Sequence, residues 1–271
     1  MKKIIIITGA SSGMGAEFAR QLSVRKCEDG GKIDEIWIIA RREDRLKELS
    51  AELTGGSGAF VPLIKPIAVD IGGRKGGEII GGLLAKEAGG VVIDTLVNNA
   101  GFGTYGRFDS TDIKWQLDEI DLNVTSPTAI TWAALPYMER GSRIINTASL
   151  AAFSAMGCFA IYAATKAYML SFTLGLAAEL HSKGVKVIAL CPGPVDTEFS
   201  QVASEGVRNK VLHGKKPYAV VRHCLRSLEK GKKIAVMAPK WKFKAFLPRL
   251  FGRYFTAKVT MLTEKRPSKK D

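Results

Sequence analysis

The chain has 271 residues, 46% of them hydrophobic, with a formal net charge of +14. That is enough for one sizeable core, and no run approaches the roughly 20 apolar residues that a membrane-spanning helix needs. Four cysteines far apart (Cys27, Cys158, Cys191, Cys224), without a C-x-x-C pair and with only three histidines, argue against a disulfide scaffold and against a metal site.

Met1-Lys2-Lys3 and four isoleucines resemble the start of a signal peptide. The apolar stretch is too short and runs straight into TGASSG, so it reads as a first strand near 3–7, and a soluble cytoplasmic protein is expected. TGASSGMG (8–15) and the helical pattern AEFARQLSVRK follow at once. Strand, glycine turn and helix in that order suit a pyrophosphate: Gly9, Gly13 and Gly15 let the backbone turn tightly and approach it, and the helix offers unpaired N–H groups. The G-x3-G-x-G spacing differs from both G-x-G-x-x-G and the triphosphate loop G-x4-G-K-[ST], which favours a nucleotide with a pyrophosphate over a triphosphate.

A second strand near 34–40 ends in Ala40-Arg41-Arg42, where an NAD-binding sheet usually places a carboxylate for the ribose 2′-hydroxyl. Guanidinium groups bind phosphate oxygens, so NADP(H) is predicted, with Arg41 the main contact and Arg42 secondary. The competing reading is that both arginines only decorate the next helix. Further strands are expected near 64–69, 93–97, 142–147, 185–191 and 233–237. The glycine-rich stretches 54–58 and 72–82 read as loop or a poorly formed helix, because glycine costs about 1 kcal/mol per helical position. The alternation predicts an α/β fold, a Rossmann-type doubly wound parallel sheet of about seven strands with helices on both faces.

In FAIYAATKAYMLSFTLGLAAEL, Tyr162 and Lys166 lie four apart on one helical face. An ammonium roughly 4–6 Å from a phenol favours the phenolate, which would lower the pKa of Tyr162 and fit it for general acid–base work. Ser149 ends the strand run SRIINTAS, which puts its hydroxyl at a carboxyl end of the sheet, where open α/β sheets bind ligands. Alone, a Tyr-x3-Lys pair is more commonly a core tyrosine beside a snorkelling lysine.

Five motifs together change that weighting. TGASSGMG, Asn98-Asn99-Ala100-Gly101, Asn123, Ser149 with Tyr162-x3-Lys166, and Pro192-Gly193 with Thr197 occur in the order found in short-chain dehydrogenases/reductases, which the chain resembles over residues 1 to about 240. The resemblance implies a catalytic group of Asn123, Ser149, Tyr162 and Lys166, with Lys166 also holding the nicotinamide ribose and Asn123 supporting a relay water. It implies cofactor contacts from Gly9, Ser11, Ser12, Gly13, Met14, Gly15, Asn99, Ala100, Gly101, Pro192, Gly193, Val195 and Thr197, with Asp70 at the adenine. A homodimer or homotetramer is also implied. Dehydration or epimerisation of nucleotide sugars fits less well, since that branch has a different glycine turn and a longer carboxyl-terminal region. A non-catalytic NADP-binding sensor or scaffold is the alternative, against which the intact Ser149, Tyr162 and Lys166 argue.

Phe102, Tyr105, Phe153, Met156, Phe159 and Phe199 flank the motifs, so a hydrophobic ketone or its secondary alcohol is expected: a steroid, a lipid-derived carbonyl or an aromatic ketone. Arg107 leaves room for an anionic group, and 195–215 is the expected lid. The charge is uneven: residues 201–271 hold 19 Lys and Arg against 4 Asp and Glu. Within 241–271, an extension rather than an independent domain, basic residues alternate with large apolar ones. Such a segment either closes over the crevice or packs on a subunit, or lies on an anionic membrane through 240–262; nucleic acid is not indicated. The last seven residues read as frayed.

Overall fold

The computed structural model describes residues 1–25, 31–55, 61–87, 89–208, 214–263 and 266. Cys27 and most of the 54–58 stretch lie outside them. Seven strands form one parallel sheet: β1 (Lys2–Thr8), β2 (Glu35–Ala40), β3 (Leu63–Ala68), β4 (Val91–Asn98), β5 (Arg143–Thr147), β6 (Lys186–Leu190) and β7 (Ile234–Ala235). Their order across the sheet is β3-β2-β1-β4-β5-β6-β7. All seven expected strands are present, and β7 is shorter than its five-residue expectation.

A sheet covered on both faces needs apolar side chains pointing both ways, which is why β1 and β2 read as nearly unbroken apolar runs. Ile5 and Ile7, with Ile36 and Ile38, join one core layer; Ile4 and Ile6, with Trp37 and Ile39, join the other. Residues of α1 (Gly13–Ser23), α2 (Glu43–Thr54) and α8 (Pro217–Glu229) cover the first layer. The second is covered by α3 (Lys75–Ala85) and α5 (Ser126–Ala134), and beside it α6 (Ala160–Glu179) packs on β5 and β6. Glu35 is buried among these strands because Lys2 Nζ (2.7 Å) and Trp37 Nε1 (2.8 Å) donate to it.

One expectation fails. Residues 75–85 form a regular helix despite Gly76, Gly77, Gly81 and Gly82, because α5 crosses it at backbone contact. A Cβ on Gly77 would stand 2.8 Å from Ala129, so the glycines that weaken helix propensity permit the packing that holds the helix.

Helix α4 (Ile113–Ile120) continues into α5 through one π-helical turn, Asp121–Thr125. After β5, a short 3-10 segment, Leu150–Phe153, precedes α6, and α7 (Phe199–Ala203) follows β6. The chain then forms α9 (Pro239–Phe251) and α10 (Arg253–Thr263), broken at Gly252. Helix α9 straddles the expected boundary at 240, and its Trp241 packs on the cluster of Ala148, Met169 and Cys191. Among the described residues no helix is long and apolar enough to cross a membrane.

Candidate active site

One cleft of about 1290 Å³ runs along the carboxyl ends of the strands. Its first wall is the turn after β1. Gly9 (φ +68°) and Gly13 (φ +55°) hold left-handed backbone there, and a Cβ on Gly15 would collide with the Gly9 carbonyl oxygen. The turn is tied to the end of β4: the Ala100 amide donates to Thr8 Oγ1 (3.1 Å), and Asn99 Nδ2 to Thr8 O (3.2 Å). Ser12 precedes α1 without capping it through its side chain, which leaves the first amides of α1 to a ligand. Ser11, Ser12, Gly13 and Met14 line the cleft; Gly15 lies behind it.

Both arginines after β2 also line the cleft, but they are not equivalent. Arg42, not Arg41, is locked over the turn: its Nη2 donates to Ser11 Oγ (3.1 Å) and Ser12 Oγ (2.9 Å) and pairs with Glu198 at 2.9 Å. Glu198, missed in the sequence, is held below the usual carboxylate range first by that hydrogen bond. Asp70 lines the adjoining wall, its Oδ1 accepting from the Gly72 amide (3.0 Å).

At the other end Asn99, Ala100, Gly101, Pro192, Gly193, Val195 and Thr197 surround the floor, where Ser149, Tyr162 and Lys166 converge. Lys166 Nζ donates to Thr147 O (2.9 Å) and lies 5.6 Å from the Tyr162 ring centroid. The Tyr162 ring is fixed by stacking on Phe159 (4.2 Å) and by Phe199 (5.2 Å). The expected lowering of the Tyr162 pKa by Lys166 is not what this environment produces. Burial pushes the phenol up, the facing Ser149 hydroxyl only partly offsets it, and burial lowers Lys166 itself to about 8.

Asn123 does not line the cleft. It sits buried in the π turn, its Nδ2 donating to Phe102 O (2.8 Å) and Thr165 Oγ1 (3.1 Å), its Oδ1 accepting from the Phe102 amide (3.1 Å). It clamps the 101–103 wall to α6. One turn earlier Glu119 is fully buried, facing Thr104; burial raises its pKa to about 7, and Lys166 lies close enough to counter part of that rise. Nothing in the sequence pattern singled it out.

The remaining walls include Phe102, Tyr105, Met156, Phe159 and Phe199, as expected, whereas Phe153 turns away and packs beneath α9 with Trp241. Arg107 is also outside, paired with Asp109 at 3.2 Å. Two other arginines enter instead: Arg208, 5.7 Å from the Tyr105 ring, and Arg266, which donates to Gly157 O at 2.6 Å and lies 5.9 Å from the Phe159 ring. Arg266 falls in the segment expected to be frayed, yet it is buried. Trp241, Phe251, Phe255 and Val259 form a roof. The expected lid contributes Val195, Thr197 and Phe199, and its residues 209–213 lie outside the described ones.

Residues 3–208 match the short chain dehydrogenase family. The chain belongs to that family. It is an oxidoreductase that uses a nicotinamide cofactor. Among relatives of this short-chain dehydrogenase, serine 3-dehydrogenase of Rhizobium radiobacter is 36% identical over 212 residues, covering 76% of this chain and 77% of the relative. A short-chain dehydrogenase from Sphingobium yanoikuyae in complex with NADPH superposes with TM-score 0.74 at 24% identity, covering 99% of this chain and 98% of its own. Another, from Burkholderia phymatum in complex with NAD, does so with TM-score 0.74 at 20% identity, covering 96% and 95%. The roof helices α9 and α10 lie beyond the matched family segment.

Proposed function

We propose that the protein interconverts a hydrophobic ketone and its secondary alcohol with NADP(H). The observation that carries this reading is the meeting of Ser149, Tyr162 and Lys166 at the floor of an otherwise aromatic-walled cleft.

The glycine turn and the amides opening α1 would hold the pyrophosphate, and Arg42, with Arg41 beside it, the 2′-phosphate. Asp70 would contact the adenine, the 99–101 and 192–197 segments the nicotinamide half, and Lys166 its ribose. When bound, the cofactor supplies or accepts the hydride. In reduction, Ser149 donates a hydrogen bond to the carbonyl oxygen and the Tyr162 hydroxyl gives up its proton to it. A phenol held neutral by burial is ready to act as that acid, and Lys166, with its pKa near 8, is mostly cationic at neutral pH and stabilises the phenolate left behind. Asn123 acts as a positioning residue through the wall it clamps.

Phe102, Phe159, Phe199 and the roof favour an apolar body for the substrate, and Arg208 and Arg266 suit a polar or anionic far end. Nothing at the site favours the non-catalytic alternative. Self-association through α5 and α6 belongs to the same reading, since Trp132 is 78% exposed beside a surface groove that Tyr168 also lines. Oxidation of NADPH should be followed with aromatic, steroid and long-chain ketones, the last with and without a terminal carboxylate, against serine with NADP+ as a polar control. Turnover of one hydrophobic class supports the reading; turnover of serine alone overturns it.

A further inference from the structure

Helices α9 and α10 have two working faces. The inner face closes the cleft through Trp241, Ala245 and Pro248 on α9 and Thr256, Thr260 and Thr263 on α10. The outer face of α9 presents Phe243, Phe246 and Leu250, 62%, 47% and 61% exposed at spacing i, i+3, i+7, and α10 adds Tyr254 and Leu262, 73% and 85% exposed. Aromatic and leucine side chains gathered on one surface need a covering partner.

Charge selects the partner. The two helices carry Lys240, Lys242, Lys244, Arg249, Arg253 and Lys258, and no Asp or Glu occurs from Lys230 to Thr263. On the outer face a cation lies beside a ring: Lys258 Nζ is 4.9 Å from Tyr254. Rings that sink to interfacial depth while ammonium groups meet phosphate suit a lipid headgroup layer. A second copy of the chain is the weaker fit, because a two-fold contact would press this positive patch against itself.

We infer that the outer face of α9–α10 docks on an anionic phospholipid bilayer. Because Phe251, Phe255 and Val259 both line the cleft and reach its surface, docking holds the mouth of the cleft against the lipid, where apolar carbonyl compounds partition.

The test is co-sedimentation of the full chain with vesicles of phosphatidylcholine alone or mixed with phosphatidylglycerol. Binding should rise at least about tenfold with phosphatidylglycerol, fall steeply between about 0.1 M and 0.5 M salt, and drop at least about tenfold in the Phe243→Ser/Phe246→Ser/Leu250→Ser variant. These side chains face solvent, so the variant should keep its fold, checked by thermal melting. Failure of the full chain to bind, equal binding to both vesicles, or binding indifferent to the variant overturns the inference. So does a dimer, seen by light scattering, that the variant dissociates in the absence of vesicle binding. No readout depends on turnover, so the result is separate from the proposed reaction.

Discussion

Glu198 reaches Arg42 at 2.9 Å, and the same guanidinium bonds Ser11 and Ser12. A carboxylate therefore occupies one side of the cation that would bind a 2′-phosphate. Charge-assisted hydrogen bonds contribute roughly 1.5–3 kcal/mol, so Arg42→Ala should weaken NADPH binding about 10- to 100-fold, with less effect on NADH. Glu198→Gln should act in the opposite direction and tighten NADPH by removing a competing anion. Fluorescence titration of both cofactors checks this, and a larger loss in Arg41→Ala than in Arg42→Ala would reverse the assignment.

Tyr162→Phe removes the acidic proton but keeps the ring that stacks on Phe159. General acid–base catalysis contributes typically about 10²–10⁴-fold, so kcat should fall by that order with cofactor affinity close to wild type. Steady-state kinetics with a direct binding measurement separates the two. Turnover within a few-fold of wild type would remove Tyr162 from its role.

Glu119 makes stability depend on pH. Burial raises its pKa from the 4.5 of an ordinary glutamate to about 7, while the Thr104 hydroxyl and the Lys166 ammonium on its other sides act in the opposite direction. Between those values the folded chain keeps a proton that the unfolded chain has released, so stability is lost as pH rises through the window, by about 3 kcal/mol at pH 7 and above. Glu119→Gln removes that dependence. Its Tm relative to wild type should climb from pH 5 to pH 7.5, and parallel Tm profiles would refute the assignment.

Gly77 and Gly82 should respond oppositely to alanine. Helix propensity alone favours alanine by about 1 kcal/mol at each. At Gly82 nothing lies within 4 Å of the new methyl, so that gain should appear; at Gly77 the Ala129 backbone stands 2.8 Å away. Overpacking costs roughly 1–3 kcal/mol, which makes Gly77→Ala a net loss. Urea denaturation of the pair provides an internal control.

The glycine turn, the strands and the Ser149, Tyr162, Lys166 group were legible because each is written locally: apolar runs, a fixed glycine spacing, two residues one turn apart. Helix α3 was not, because what tolerates its glycines is the approach of Ala129 on α5, some 50 residues later in the chain. What distinguishes Arg42 from Arg41 is its contact with Glu198 and the two serines of the turn, which composition does not record. Glu119 reads as a solvent-facing helical residue until the π turn at Asp121–Thr125 and the Gly103-Thr104 loop enclose it. Arg266 reaches the cleft only through a long excursion of chain, so its neighbours in sequence give no hint of it, whereas Arg208 falls within the 195–215 segment expected to be the lid.

The two margins of the sheet differ, but both are poor templates for another strand. At one, β3 places Pro66, which has no amide hydrogen to donate, beside Lys65, whose ammonium turns onto the Trp37 ring at 4.6 Å. At the other, β7 is only two residues long. An incoming extended chain would find too few hydrogen-bonding partners at either margin to add itself, so the protein should resist β-type aggregation even when concentrated.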